Sequence, residues 1–391
     1  MADISIYFQP VEYNTSSDES PLKGRLADNI SFYSEKGDFP DYMGADLAII
    51  GINEERGTLN NAGCAQAPDV VRGYLGDLFV AAQDWKIVDL GNISPGATIQ
   101  DTYFAIGSAV QELISCNTIP VIVGGSQDLT YGNYLAYEKL GNTINIVSVD
   151  RKLDLEANDD VFSSDTYLSK IILSEPNFLF NYSNIGYQTY FVDQRLLELM
   201  DKLYFDAMRL GEVRANVQNT EPVLRHADMV SFDISAIRAS DSTGSSNVGP
   251  NGLYAEEACQ LCRYAGMSDR VSSVGFYELN PMIDRKGQSA HLVAQMIWCF
   301  VEGYYNRKED VPLDNNKQYS KYRVAVKDDA YEIVFYKSHK TDRWWMDVPY
   351  TAGNRNKYER HHLVPCTYDD YLLASQEEMP DKWWRTYQKL V

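Results

Sequence analysis

Residues 144–156 read INIVSVDRKLDLE. A mostly apolar run of six residues ends at Asp150, and Lys152 and Asp154 follow at alternate positions. A run this short, rich in Ile and Val and stopped by charge, suits a strand buried on both faces of a parallel sheet. The same pattern recurs outward in both directions, at Asp46–Ile52, Lys86–Leu90, Pro120–Val123, Asn184–Tyr187, Met229–Ile234 and Ser273–Tyr277. Between these runs lie helical patterns such as Pro68–Leu75, Thr102–Ile114, Gln194–Leu203 and Ser289–Tyr305. Alternation of this kind predicts an α/β fold with helices on both faces of a mainly parallel sheet. In such sheets the loops leaving the carboxyl ends of the strands build the functional site, so the residues just after each strand carry most of the information.

The chain has 391 residues, which suggests one large domain with an appendage, or two domains. Its 35 basic residues against 55 acidic ones leave a net charge of −20, which excludes a nucleic-acid or anionic-membrane surface because both need a concentrated positive field. Apolar content of 45% with 23% charge excludes bulk disorder. The opening MADISIYFQPVEYN has neither a basic nor an apolar signal region, and no run approaches the ~18 apolar residues of a membrane span. The expectation is a soluble, cytoplasmic protein with its six Cys as free thiols. Cys259 and Cys262 form a CxxC inside AEEACQLCRYAG, a run with helical periodicity. With no second CxxC to complete a zinc site, a buried helix is favoured over a redox or metal motif.

Composition changes near residue 310, which divides the chain into 1–310 and an accessory module at 311–391. Four of the six Trp fall in the module as two pairs, Trp344-Trp345 and Trp383-Trp384, and the acidic excess lies entirely before it. YRVAVKD, YEIVFYKS and RWWMDVPY read as a short β-meander with turns at Asp328-Asp329 and Lys340–Asp342. YDDYLLASQ and PDKWWRTYQKL read as helices. The aromatics serve either a small core packed on the main domain or an exposed face for a protein partner or self-association. His361-His362 with Cys366 lacks a fourth zinc ligand, and His291 is expected as a satisfied core residue.

Three segments after strand runs carry clustered polar residues. VIVGGSQDLTYG (121–132) places Ser126, Gln127 and Asp128 after a Gly-Gly turn; INIVSVDRKLDLE supplies Asp150, Lys152 and Asp154; MVSFDISAIRASD (229–241) supplies Asp233 and Ser235. Carboxylates at buried strand ends are costly without a cation, so these Asp imply a metal or a basic partner.

The ordered set resembles the ureohydrolase family of arginases, agmatinases and formimidoylglutamases, whose motifs are GGxHS/D, DAHxD and SxDxDxxDP. GINEERGTLNNAGCAQAPDVVR (51–72), PNGLYAEEACQLCRYAG (250–266) and FYELNPMID (276–284) are similar to further family segments, and IGYQTYFV (185–192) is nearer the formimidoylglutamase version. The resemblance covers most of residues 45–305. It implies a three-layer α/β/α arginase-like sandwich around a mainly parallel sheet, here with a small C-terminal aromatic-rich β/α extension. It also implies a homo-oligomer.

Carried over residue by residue, the family's six ligands to two manganese ions fall on Gln127, Asp150, Lys152, Asp154, Asp233 and Ser235. Both ligand His positions and one Asp are replaced. The second ion would keep only Asp150 and Asp233, with Lys152 expected to sit among Asp150, Asp154 and Asp233 as a built-in cation. No cofactor is therefore expected, or else one Mg²⁺ or Ca²⁺ (or Mn²⁺) at Gln127, Asp150, Asp154 and Asp233. Glu278 matches the family's substrate-cation Glu and is a ligand-binding candidate with Asp128; the alternative for Glu278 is a partner for Arg151. The implied functions are a catalytically degenerate pseudoenzyme with a binding, assembly or regulatory role, an active amidine or guanidine C–N hydrolase using one divalent ion, or a sensor of a guanidino or amino-acid ligand.

Overall fold

The computed structural model describes residues 3–13, 24–80, 84–155, 162–312, 318–327, 330–350 and 359–391. The large sheet is built from β1 (Phe8–Gln9), β2 (Ser31–Phe32), β3 (Leu47–Ile52), β4 (Ile87–Ile93), β5 (Ile119–Val123), β6 (Ile144–Val149), β7 (Leu179–Tyr187), β8 (Asp206–Arg209), β9 (Met229–Asp233) and β10 (Ser273–Tyr277). Its order is β1-β4-β3-β5-β10-β9-β6-β7-β8, with β2 also on β4. The pairings are parallel apart from β1 on β4.

All seven strand runs anticipated from the sequence are present. Every residue of β3, β5, β6, β9 and β10 is buried, which is why each reads as a continuous apolar run rather than an alternation. Burying one Ile or Val side chain fully contributes roughly 1.5–3 kcal/mol, so these central strands dominate the driving force. Strands β1, β2 and β8 were not legible. Two are only two residues long, and β8 (DAMR) bears a charge at each end.

Helices 67–77, 255–266 and 288–304 cover one face, burying Val71, Leu75, Leu261, Val293, Ile297 and Phe300. Helices 99–115 and 129–140 cover the other, burying Ile106, Val110, Leu113 and Ala136. Local chemistry sets the starts. Thr98 and Asp101 form a reciprocal capping box, and Pro68 sits in the first turn of 67–77. Arg72 on that helix pairs with Asp89 of β4 at 2.7 Å, both buried, pinning the helix to the sheet.

Beyond residue 318 the chain forms a separate antiparallel sheet of β11 (Tyr319–Val326), β12 (Tyr331–Ser338), β13 (Trp344–Asp347) and β14 (Leu363–Cys366). The expected meander accounts for the first three. The Asp328-Asp329 turn lies outside the described residues, whereas the Lys340–Asp342 turn is present, with Asp342 at φ 59°. Strand β14, LVPC, contains a proline and was not anticipated. Helices 368–375 and 381–390 follow, the second directly after Pro380.

Phe335 and Trp383 are at most 1% exposed and Phe180 of β7 joins their core, while Trp345, 2% exposed, is covered by the Arg225 guanidinium, so most of the aromatic excess is spent on internal packing. Tyr368 and Leu372 remain exposed. Arginines tie the two sheets together: Arg225 donates to the Trp344 carbonyl at 3.2 Å, Arg343 pairs with Glu221 at 3.0 Å, and Arg385 donates to the Phe205 carbonyl at 2.7 Å. Among the described residues no helix is long and apolar enough to cross a membrane.

His291 is exposed and stacks on Tyr74 at 5.1 Å rather than lying in the core, because its helix turns Leu292, Val293 and Met296 inward instead. His361 is a core residue stacked on Phe180, and its pKa is held well below the ordinary value by burial and by the charges of Arg270 and Arg360.

Candidate functional site

The carboxyl ends of β3, β5, β10, β9 and β6 lie side by side in the middle of the sheet, so the loops that follow them converge. At the end of β5 the chain passes beneath the loop after β3. A Cβ on Gly125 would lie 1.8 Å from the Glu54 carbonyl oxygen, which explains the glycine there. That close approach places Gln127 under Glu278, whose Oε1 accepts from the Gln127 backbone N–H at 3.0 Å.

The ends of β6 and β9 use one device twice. Asp150 Oδ1 accepts from the backbone N–H of Lys152 at 2.9 Å, and Asp233 Oδ1 accepts from that of Ser235 at 2.6 Å. Each Asp thereby fixes its own turn and leaves its other oxygen facing inward. The Oδ2 atoms of Asp150, Asp154 and Asp233 all lie 3.2 Å from one end of the Gln127 side-chain amide. The other end of the amide is 3.4 Å from Ser148 Oγ and from the Tyr167 hydroxyl.

With its NH₂ turned toward the acids, Gln127 donates to them and its oxygen can accept from the two hydroxyls. With the oxygen turned toward them, four oxygens converge, an arrangement that needs a cation or shared protons between them. Burial raises the pKa of Asp150, and of Asp154 and Asp233 well above the ordinary value, with mutual repulsion adding to the last two. In the absence of a cation these acids therefore hold protons that a surface carboxylate would release.

Lys152 is not where the sequence placed it. Its Nζ lies 3.0 Å from Asp165 rather than among Asp150, Asp154 and Asp233. Burial opposes its charge, but Asp165 first, then Asp154 and Asp150, outweigh that and raise its pKa. The sequence offered no signal for Asp165, because it follows the 156–161 stretch instead of a strand. Ser235 is buried beside Asp233.

Glu278 stands at the end of β10 with φ 64°, a conformation that non-glycine residues adopt only when their surroundings enforce it. Its Oε2 accepts from Asn61 Nδ2 at 2.8 Å and Thr58 Oγ1 at 3.4 Å, while Arg151 lies over the Phe191 ring. The pairing of Glu278 with Arg151 is therefore not formed. Burial pushes the Glu278 carboxyl up to about 7, with Asn61 and the Gln127 N–H working the other way. Asp128, the other ligand candidate, is buried against Gly57 and accepts a hydrogen bond from the Tyr103 hydroxyl. It braces the 51–66 loop. Asn61, within the quoted NAG, was missed as a site residue; Asn280 of ELNP donates to its side-chain oxygen at 3.2 Å.

Comparison with known proteins gives the setting. The Arginase family model matches residues 45–302. A formimidoylglutamase of Staphylococcus aureus (strain JH9) is 25% identical over 303 residues, covering 73% of this chain and 95% of the relative. A solved structure of Trypanosoma cruzi formiminoglutamase with Mn²⁺₂ is similar in fold, with a TM-score of 0.65 at 23% identity, covering 73% of this chain and 99% of that one. The formimidoylglutamase of Bacillus subtilis subsp. subtilis str. 168 also has a TM-score of 0.65, at 18% identity, covering 74% and 96%.

The expectation that no cofactor is held is corrected by the Trypanosoma cruzi structure, in which this fold carries manganese. Around these acids Lys152 is engaged by Asp165, and Ser235 offers a hydroxyl beside Asp233. Among the described residues, no group of three or more His, Cys, Asp or Glu alone stands in ligating geometry. With its oxygen inward, Gln127 adds a fourth oxygen 3.2 Å from one oxygen of each of the three acids. With its family model matched over residues 45–302 and the acids at its strand ends in that family's order, this chain belongs to the arginase family.

Proposed function

We propose that this chain is a ureohydrolase of the formimidoylglutamase lineage that has given up two-metal hydrolysis and binds one divalent cation and a cationic ligand in a binding, assembly or regulatory role. The observation that carries this reading is the Gln127 amide held 3.2 Å from three carboxylates, with Lys152 turned away to Asp165. Hydrolysis of an amidine by this family needs a hydroxide generated between two ions. Lys152 and Ser235 supply no ligands for the second.

Gln127, Asp150, Asp154 and Asp233 would hold the single ion, an all-oxygen set that suits Mg²⁺, Ca²⁺ or Mn²⁺. What an ion would supply there is positive charge, which lets the buried acids release their protons. Glu278 is buried, has only neutral hydrogen-bond donors around its carboxylate, and so favours an ammonium or guanidinium. One observation favours a second reading, an active amidine hydrolase using one ion. A carboxyl near 7 is poised to exchange protons at neutral pH.

The experiment is elemental analysis after dialysis against Mn²⁺, alongside formamide and urea release from formimidoylglutamate, arginine and agmatine. One ion per chain with no release is expected. Two ions with turnover would overturn the proposal, and one ion with turnover would select the second reading. We also infer a partner-binding or self-associating role for residues 311–391 through exposed Tyr368 and Leu372. Sedimentation of Tyr368→Ala/Leu372→Ala beside the parent chain tests self-association, with an unchanged profile counting against it.

A further inference from the structure

The CxxC at Cys259 and Cys262 has a third member that its own helix does not reveal. Helix 255–266 packs on helix 288–304, and the two come unusually close. A Cβ on Gly266 would lie 2.1 Å from the Phe300 carbonyl oxygen, and one on Gly303 would lie 2.4 Å from that of Arg263. Backbone against backbone at this crossing brings Cys299 to the CxxC. The Cys259 and Cys299 thiols are near enough to influence each other, Cys262 lies close enough to act on both, and Cys259 and Cys299 are only partly buried whereas Cys262 is fully so.

We propose that Cys259 and Cys299 form a reversible, peroxide-reactive dithiol that links helix 255–266 to helix 288–304. Cys299 is the attacking member. The neighbouring Cys259 thiol lowers its pKa, an effect that outweighs burial and the negative charge of Glu302, and Arg263, paired with Glu302 at 2.6 Å, adds to the lowering. Cys259 is correspondingly raised, with burial, Cys262 and Glu256 adding to the rise. Reaction is favoured at the thiolate, so Cys299 attacks the hydroperoxide O–O bond and becomes a sulfenic acid as hydroxide leaves and takes up a proton. Cys259 then attacks that sulfur, losing its own proton, and water departs. In sum two thiols are oxidised to one disulfide and one hydrogen peroxide is reduced to two waters. The link would join the two helices that follow the loops carrying Asp233 and Glu278, so it bears on the site described above without touching it.

The test uses the full-length chain treated with hydrogen peroxide, followed by alkylation, proteolysis and mass spectrometry. The expected product is a Cys259–Cys299 peptide pair that dithiothreitol reverses. Before oxidation, iodoacetamide at neutral pH should modify Cys299 at least about tenfold faster than Cys116, a partly exposed cysteine whose pKa is raised by burial and Glu112. Cys299→Ala and Cys259→Ala, each checked for folding by circular dichroism, should both abolish the linked peptide, and Cys259→Ala alone should leave sulfenic acid trapped at Cys299 by dimedone. Linkage of Cys262 instead, oxidation of Cys299 to sulfinic acid with Cys259 still free, or equal reactivity of Cys116 and Cys299 would each overturn the proposal.

Discussion

Gln127 sets a carboxamide against three buried carboxylates, and which end of it faces them changes what they can do. An amide can present either a donor or an acceptor to them, so the same side chain can donate to ionised carboxylates or accept from a protonated one. Restoring the family residues in one chain, Gln127→His with Lys152→His and Ser235→Asp, is expected to raise bound Mn²⁺ from one ion per chain to two, measured by elemental analysis after exhaustive dialysis. A value that stays at one would mean that the surrounding loops, and not the ligands alone, have lost the second position. Glu278 yields a pH prediction. Its folded pKa of about 7 exceeds the ordinary 4.5, so the folded state binds more protons than the unfolded state between those values and stability falls as pH rises through that window. Glu278→Gln removes this cost and should stabilise the chain at pH 8 relative to pH 5 by about 2–3 kcal/mol more than in the parent, given ~1.4 kcal/mol per pKa unit over the part of the window lying between those pH values. Urea midpoints in chelator at the two pH values measure it, and an unchanged difference would refute the assignment. The acids themselves were legible as residues after buried strands. The partner of Lys152 was not, because Asp165 comes to it through the path of a loop.

Among the elements, strands buried on both faces announce themselves, and those at the sheet edge do not. β3, β5, β6, β9 and β10 each read as an unbroken apolar run, since no face of theirs meets water. β8 at one edge carries two charges in four residues, and β14 in the second sheet is short and interrupted by Pro365, so neither separates from a loop. Helix contacts were legible as faces but not as distances. The crossing of 255–266 and 288–304 depends on Gly266 and Gly303, where an added methyl has backbone atoms in its way. Gly303→Ala or Gly266→Ala is expected to cost about 1–3 kcal/mol through overpacking, read as a lower urea midpoint with an unchanged slope. Substitution at exposed Gly141 is no control, because its φ of 69° adds strain of its own; Gly211, with open space around it, is the suitable one.

For the whole molecule, the two sheets share charges that neither could leave unpaired. Arg225 is buried at the seam with its guanidinium over Trp345 and its donors on carbonyls of β13 and β14, and Arg360 pairs with buried Asp228. A chain ending at residue 310 would strip these partners and expose Phe180. It is expected to have a lower thermal midpoint than the full chain, or to aggregate, in scanning fluorimetry and sedimentation; equal stability would mark residues 311–391 as an independent domain. The sequence by itself determined the α/β class, the central strands and the acids after them, because burial on two faces and charge at a strand end are local facts that survive in one dimension. Only the tertiary structure decided that Lys152 turns to Asp165, that Glu278 rests on Asn61 and Thr58, that most of the tail's aromatics pack inward, and that Cys299 meets the CxxC. These depend on which loops and helix faces come together across separations from 13 residues, for Lys152 and Asp165, to 217, for Asn61 and Glu278, and residue type alone does not specify that choice.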